Sequence, residues 1–125
     1  MNIETLAEKW IAAAEFDGKP PSDNHWAIDY VIELPYDKKF NELWLFIKHA
    51  YKKDISNEVS EMLAAGPMED LLSYAGESYI QEIEDLARKD PKFASLLGGV
   101  WESSMSGEVW KRIQKFADKS GWDGN

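Results

Sequence analysis

The side chains that most often carry out chemistry in proteins are sparse in this sequence. The 125 residues include no cysteine and only two histidines, His25 and His49. A thiol nucleophile, a thiolate metal site and a disulfide are therefore excluded. A zinc or di-iron site needs ligands at set spacings, such as two histidines four residues apart or a Glu-x-x-His repeat, and neither is present. We expect His49 to be exposed and His25 to lie beside a helix start.

Motifs for phosphate binding and nucleophilic catalysis are also missing from the sequence. It contains no Walker-type loop, no dinucleotide fingerprint and no serine nucleophile elbow. Carboxylate pairs are present, but in so acidic a chain they arise easily by chance. We therefore predict no catalytic residue, no metal and no cofactor.

The acidic residues are concentrated in one stretch of the chain. The formal net charge is −9, and no Lys or Arg occurs between Lys53 and Arg88. Nine acidic residues lie in that stretch, and the remainder of the chain holds 14 acidic and 14 basic residues. These nine, called the acidic block below, are Asp54, Glu58, Glu61, Glu69, Asp70, Glu77, Glu82, Glu84 and Asp85. Glu58 and Glu61 share one helical face, and Glu77 and Glu84 share another. Both faces lie opposite the apolar residues of their helices, which predicts solvent-facing carboxylates.

Two interpretations of the acidic block remain open. The carboxylates could form a solvated face that keeps the protein dispersed. They could instead form a docking surface, because clustered negative charge steers a basic protein and accelerates its association. The same charge disfavours nucleic acid and anionic membranes as direct ligands, because both carry phosphates that the block would repel.

Trp101, Trp110 and Arg112 form a second set of candidate site residues. The usual role of tryptophan is core filling. The alternative is an aromatic cleft beside Glu69 and Asp70 that holds a cationic side chain against the ring faces. We also consider an internal ion pair between Asp70 and Arg112.

Helical spacing and turn residues divide the chain into short helices. The clearest stripe is Phe40, Leu43, Trp44, Ile47 and Tyr51. Asp54 is expected to cap the fourth helix, Gly66 to end it in a left-handed conformation, and Pro67 to start the next. The segments predicted as helices are 3–15, 24–34, 40–51, about 55–65, 67–75, 77–89, 91–97 and 106–119.

These segments predict an all-α fold with a single domain over residues 1–125. The expected architecture is a compact bundle of seven to eight short helices or an array of stacked helical hairpins. Residues 26–34 also allow an alternating strand, although no hairpin turn offers it a partner. The tail from residue 120 to 125 is expected to fray.

The middle and end of the chain resemble an uncharacterised bacterial family catalogued as domain of unknown function 6869. The resemblance is good over about residues 60–114 and loose before them, through Trp10 and Trp44. It implies a small bacterial helical protein and implies no activity or ligand. The matching blocks are Ala64–Leu72, Gly76-Glu77, Asp90–Phe93, Leu97–Trp101, Met105-Ser106, Val109-Trp110 and Arg112.

These observations predict a non-enzymatic acidic module that binds a basic protein, for example an immunity-type protein that neutralises a basic bacterial toxin. One alternative is a small-molecule-binding protein or enzyme that uses the cleft near Trp101, Trp110, Glu69 and Asp70. Another is a structural or assembly subunit, and the oligomeric state stays open. The start of the chain lacks a basic, apolar leader, and no apolar run approaches the ~20 residues of a membrane span. We therefore expect a cytoplasmic protein.

Overall fold

The computed structural model describes residues 2–15, 23–102, 104–120 and 122 as a helical assembly without strands. This confirms the all-α prediction. Residues 26–34 lie in a helix, so the strand alternative is wrong, and most of the loop predicted over residues 17–23 falls outside the described residues. The helices are α1 (Ile3–Ala14), α2 (His25–Tyr36), α3 (Phe40–Tyr51), α4 (Asn57–Leu63), α5 (Glu69–Lys89), α6 (Pro91–Gly98) and α7 (Gly107–Phe116).

Helix α3 forms the centre of the core, as its apolar stripe predicts. It packs against α1 and α2 on one side and against α5 and α6 on the other. Phe93 of α6 contacts the Trp44 ring edge-on at a centroid distance of 5.7 Å and the Tyr51 ring at 5.2 Å. The Tyr51 hydroxyl donates a hydrogen bond of 2.6 Å to Asp90, the residue that caps α6. Burying these rings joins α3, in the first half of the chain, to α6, in the second half.

The connection between α4 and α5 differs from the prediction of a sharp break. Residues Ala64–Met68 form one π-helical turn that carries the chain from α4 into α5 without a left-handed residue. Pro67 has no N–H and its ring would clash in an ordinary α-helical turn, so the wider π-helical turn accommodates it. Asp54 is not the cap of α4, because the Ser56 hydroxyl accepts the Val59 N–H at 3.2 Å.

Two further boundaries moved relative to the prediction. Pro35 does not end the second helix at Leu34, because it lies inside the last turn of α2. The two helices predicted on either side of Gly76 are one helix, α5, which kinks at Ala75 with φ −143° and ψ 21°. At the kink Gly76 is buried, and a Cβ on it would lie 3.1 Å from Val109 of α7. The glycine therefore marks a close helix contact.

After α7 the chain leaves the helix and packs against α6 as an irregular segment with a turn, in which the Trp122 N–H donates to the Lys119 carbonyl at 3.0 Å. Residues 117–120 and 122 are called the C-terminal strap below. The Asp118 N–H donates to the Ala94 carbonyl at 2.9 Å, and the Trp122 indole N–H donates to the Ser95 carbonyl at 2.6 Å. A Cβ on Gly98 would lie 1.9 Å from the Asp118 carbonyl oxygen. The prediction of fraying from residue 120 is therefore wrong for Trp122, and residues 121 and 123–125 lie outside the described residues.

Among the described helices, none has both the length and the apolar composition that crossing a membrane requires.

Candidate functional site

The acidic block is exposed along most of its length. Asp54, Glu58, Glu61, Glu77 and Glu82 are exposed, whereas Glu69, Asp70 and Asp85 are partly buried. Two members pair with an arginine: Asp85 with Arg88 at 3.4 Å, and Glu84 with Arg112. The other seven have no ion pair within the described part of the chain, so their charge is not neutralised by lysines or arginines folded back from elsewhere.

Glu84 departs from the predicted solvent-facing position. Its side chain is buried, and it accepts two hydrogen bonds of 2.7 Å from the Arg112 guanidinium, one from Nε and one from a terminal nitrogen. This bidentate pair holds the pKa of Glu84 below its usual value. The predicted Asp70–Arg112 pair is therefore wrong, and Glu84 fastens α5 to α7 instead of facing a partner.

Trp101 and Trp110 do line one cleft, as the sequence reasoning proposed. The cleft has a volume of about 640 Å³ and lies between α4, the π-helical turn, α7 and the C-terminal strap; its lining includes Glu61, Trp101, Glu102, Trp110, Lys119 and Trp122. We call it the tryptophan groove. Trp101 is 75% exposed, so core filling does not describe its role. Trp110 is partly buried and packs against the core.

A cation of the chain itself lies inside the tryptophan groove. The Lys119 Nζ is 5.5 Å from the centroid of the Trp110 ring, and it donates a hydrogen bond to the Gln114 side-chain carbonyl. No carboxylate pairs with this ammonium group among the described residues. The groove thus has the shape and the aromatic surface to accept an alkylammonium group.

Glu69 and Asp70 occupy different positions from those expected. Glu69 accepts the Trp101 backbone N–H at 3.2 Å and so supports the wall of the groove. Asp70 lines a separate pocket, whose wall also includes Gly66 and Pro67 of the π-helical turn. Burial raises the pKa of both carboxyls, and in Glu69 the Trp101 N–H opposes that rise. Arg112 belongs to neither site, since it is held by Glu84.

The histidines are distant from both sites. His49 is exposed, as predicted, and its Nδ1 lies 3.0 Å from the Glu4 carboxylate. His25 is the first residue of α2 and lies 3.7 Å from Asp29. Within the described residues, no three His, Asp or Glu side chains are grouped as a metal site would require.

Sequence reasoning missed three residues of the groove: Glu102, Lys119 and Trp122. Glu102 lies outside the acidic block, and the other two lie beyond the last predicted apolar stripe. The signal that could have found them is Gly98-Gly99, because adjacent glycines allow another backbone or ring to approach closely. In the structure, a Cβ on Gly99 would lie 2.8 Å from the Trp122 ring.

The fold and the site describe an all-α protein with an aromatic groove and with seven side chains of the acidic block that have no ion pair among the described residues. A family model matches residues 14–121, and the chain belongs to this family, described as Family of unknown function (DUF6869). The match extends the resemblance over most of the chain. Neither a curated protein nor a solved structure matches the chain.

Proposed function

We propose that the protein is a non-enzymatic module that binds a basic protein through its acidic block. The observation that carries this proposal is the set of seven block carboxylates without a lysine or arginine partner in the described part of the chain. Like charges held together on one scaffold repel one another, and a cationic partner relieves that repulsion. The charge also raises the rate of encounter with such a partner.

The tryptophan groove supplies a specific contact within this surface. Glu61 and Glu102 provide negative charge at the groove, and Trp101 and Trp110 provide ring faces. Lys119 marks the place where an ammonium group fits against Trp110. A lysine or arginine of the partner would bind there in place of Lys119, and cation–π contacts of this kind contribute about 0.5–2 kcal/mol each.

The most concrete form of the proposal is an immunity-type protein in a bacterial cytoplasm, bound to a basic toxin such as a nuclease. A small acidic domain can cover a basic active site and place carboxylates at the positions where the enzyme binds the phosphates of its substrate. Small size and one-sided charge support this form. An adjacent toxin gene is the expected genomic context, and the absence of such a gene in the source genomes would count against this form of the proposal.

As a second candidate function, the protein binds a small molecule or catalyses a reaction. The groove volume of about 640 Å³ lies within the range of about 300–1,000 Å³ typical of ligand sites. Burial raises the pKa of both Glu69 and Asp70, as often occurs in active sites. This candidate predicts that a fragment library shifts the Trp101 and Trp110 indole resonances. The binding module predicts responses to cationic fragments alone.

Co-purification from the native host tests the leading proposal. The wild-type protein is compared with Glu58→Gln/Glu61→Gln, which removes two exposed charges of the block. The matched control is Glu33→Gln/Asp37→Asn, which removes two exposed charges outside the block, one in the last turn of α2 and one on the residue that follows the helix. We expect a protein with a basic isoelectric point to co-purify with wild type and with the control, and to be depleted several-fold with the block variant. Equal recovery with both variants, or recovery of no basic protein, contradicts the proposal.

A further inference from the structure

A small apolar pocket lies beside the π-helical turn, on a face next to the one that lines the tryptophan groove. Its volume is about 160 Å³, close to that of a cavity that accepts one benzene ring. The wall is formed by Trp10 of α1, Val31 and Ile32 of α2, Met62 of α4, Pro67 of the turn and Asp70 of α5. We call it the Asp70 pocket, because Asp70 is the ionisable residue of its lining within the described part of the chain.

The surface around the Asp70 pocket is unusually apolar for so acidic a protein. Ile32 and Met62, in the wall, are 48% and 37% exposed, and Tyr36 and Tyr74 are 64% and 54% exposed. The two tyrosine rings meet edge to face at 6.0 Å. Ile32 and Tyr36 are one helical turn apart on α2. Apolar side chains clustered around a pocket, with tyrosines among them, are typical of the centre of a protein interface.

Asp70 gives the pocket a chemical preference. The carboxylate is partly buried, and it has no hydrogen-bond donor and no cationic partner in the described part of the chain. Burial raises its pKa, and the neighbouring Glu69 adds negative charge. An apolar partner side chain in the pocket would remove the remaining water from Asp70. The hydrogen bonds of that water would not be replaced, at a cost of about 1–3 kcal/mol. A cationic donor would replace them.

We infer that the Asp70 pocket binds one lysine or arginine side chain of the basic partner, with the alkyl stem against Val31, Ile32 and Met62 and the cationic group on Asp70. Such side chains bury their methylene stems along apolar surface while the charged end meets a carboxylate. The inference rests on the proposed function, since it names the side chain that the partner inserts.

The charge distribution argues against a second copy of this chain as the occupant. A symmetric dimer places the same surface of both subunits face to face. Glu58 and Glu61, on the same short helix as Met62, are exposed and unpaired within the described residues, so a symmetric contact centred on this helix would bring acidic surfaces together. Like charges in opposition are unfavourable. A basic partner has the complementary charge.

The tryptophan groove and the Asp70 pocket lie on neighbouring faces of α4 and the π-helical turn. Glu61 and Ala65 line the tryptophan groove, and the adjacent residues Met62 and Gly66 line the Asp70 pocket. Successive residues point about 100° apart on a helix. A partner that covers α4 and the π-helical turn would therefore reach both sites at once.

A fragment titration tests the inference without requiring the partner. n-Butylguanidinium carries the stem and charge of arginine, and n-butylurea is its neutral near-isostere. We expect n-butylguanidinium to shift the methyl resonances of Ile32 and Met62 saturably at millimolar concentration. We expect the apparent affinity to fall at least fivefold for n-butylurea with wild type, and for n-butylguanidinium with Asp70→Asn. Glu108→Gln, which removes an exposed charge of α7 outside the acidic block and outside both linings, is the control and should leave these shifts unchanged.

Equal shifts from both fragments, or an absence of shifts, would overturn the inference regardless of how the variants fold. Partner capture separates it from the proposed function. A basic partner recovered equally by wild type and Asp70→Asn overturns the inference alone. Failure to recover any basic partner overturns the proposed function, and the titration then decides whether Asp70 forms a cation site. A dimer in solution that Tyr36→Ala abolishes would assign this surface to a second copy.

Discussion

Glu84 and Arg112 show most clearly what the sequence left undetermined. Both residues were noted from the sequence, but their pairing with each other was not predicted. Glu84 is surrounded in the sequence by other acidic residues, so the charge pattern alone assigns it to the exposed acidic block. Its burial depends on α7 packing across α5, a contact between residues far apart in the chain. Sequence spacing identifies helix faces and leaves open which helix covers each face. Glu58, Glu61 and Glu77 have no such partner, and their exposure agrees with their spacing.

The Glu84–Arg112 pair should be structural, and its energetics can be measured. Arg112→Met leaves the buried Glu84 carboxylate without a donor, so we expect a loss of about 1–3 kcal/mol in the free energy of unfolding. Adding Glu84→Leu should recover most of that loss, because a well-packed apolar pair replaces a buried ion pair at little cost. Urea denaturation measures the stability of all three proteins.

Arg88→Met is the matched control and should cost less than about 1 kcal/mol, since its pair with Asp85 is exposed. A double variant no better than Arg112→Met would contradict the pairing.

The same pair should make stability depend on pH in a defined direction. The pKa of Glu84 is lowered in the folded state from its usual value of 4.5. The unfolded chain therefore takes up the proton more readily as the solution is acidified. The contribution of Glu84 is fully present above pH 4.5 and is lost as pH falls through the folded pKa.

Comparison with Glu84→Gln isolates this effect. Glu69 and Asp70 act in the opposite direction: their raised pKa values make the fold gain stability as pH falls through them. The free energy of unfolding should be measured for wild type and Glu84→Gln from pH 6 to pH 3. We expect the difference between the two proteins to shrink below pH 4.5. A difference that stays constant over this range would mean that the pKa of Glu84 is not lowered by folding.

At the scale of the elements, the helices with a clean apolar stripe were predictable. In α3, four of the five stripe residues, Leu43, Trp44, Ile47 and Tyr51, are buried, and Asp90-Pro91 starts α6 as its cap chemistry predicts. The π-helical turn was not predictable, because Gly66-Pro67 after α4 has the usual form of a helix stop and restart. Its course is decided by burial of Pro67 and Met68 in the core. The C-terminal strap was not predicted either, because Trp122 does not continue the helical spacing of the apolar residues before it.

The C-terminal strap should depend on the absence of a side chain at residue 98. In Gly98→Ala the new Cβ would overlap the Asp118 carbonyl, which approaches to 1.9 Å, and would press on Trp122 at 2.8 Å. We expect the strap to lift, the stability to fall by about 1–3 kcal/mol, and Trp122 to become solvated. Tryptophan fluorescence and thermal unfolding report both effects. Gly107→Ala is the control, because nothing lies within 4 Å of its Cβ position, and it should be neutral or slightly stabilising. Identical behaviour of the two variants would refute the docked strap.

The strap also links the fold to the proposed binding surface. Lys119 and Trp122 both belong to it, and both line the tryptophan groove. Lys119→Met removes the cation that lies against Trp110 and leaves the stem in place. We expect this variant to bind n-butylammonium more tightly in the groove than wild type, because the intramolecular competitor is gone. Chemical shifts of the Trp101 and Trp110 indoles measure the affinity, and an unchanged or weaker affinity would argue against a cation site.

At the scale of the whole molecule, the charges are polarised. Lys48, His49, Lys52 and Lys53 lie together around a surface depression at the carboxyl end of α3, with Glu4 between them. The acidic block begins at the next residue, Asp54. If the proposed basic partner binds, this charge distribution would orient it as well as attract it, with the α4–α5 side attractive and the basic cluster repulsive.

The ionic-strength dependence of association tests the central claim most directly. The association rate constant with the co-purified basic protein would be measured by stopped flow between low and near-physiological salt, for wild type and for Glu58→Gln/Glu61→Gln. We predict that the wild-type rate constant falls about tenfold or more as salt rises, and that the variant starts slower and depends less on salt. A wild-type rate constant that is independent of salt, or equal to that of the variant throughout, would contradict a function based on the acidic block.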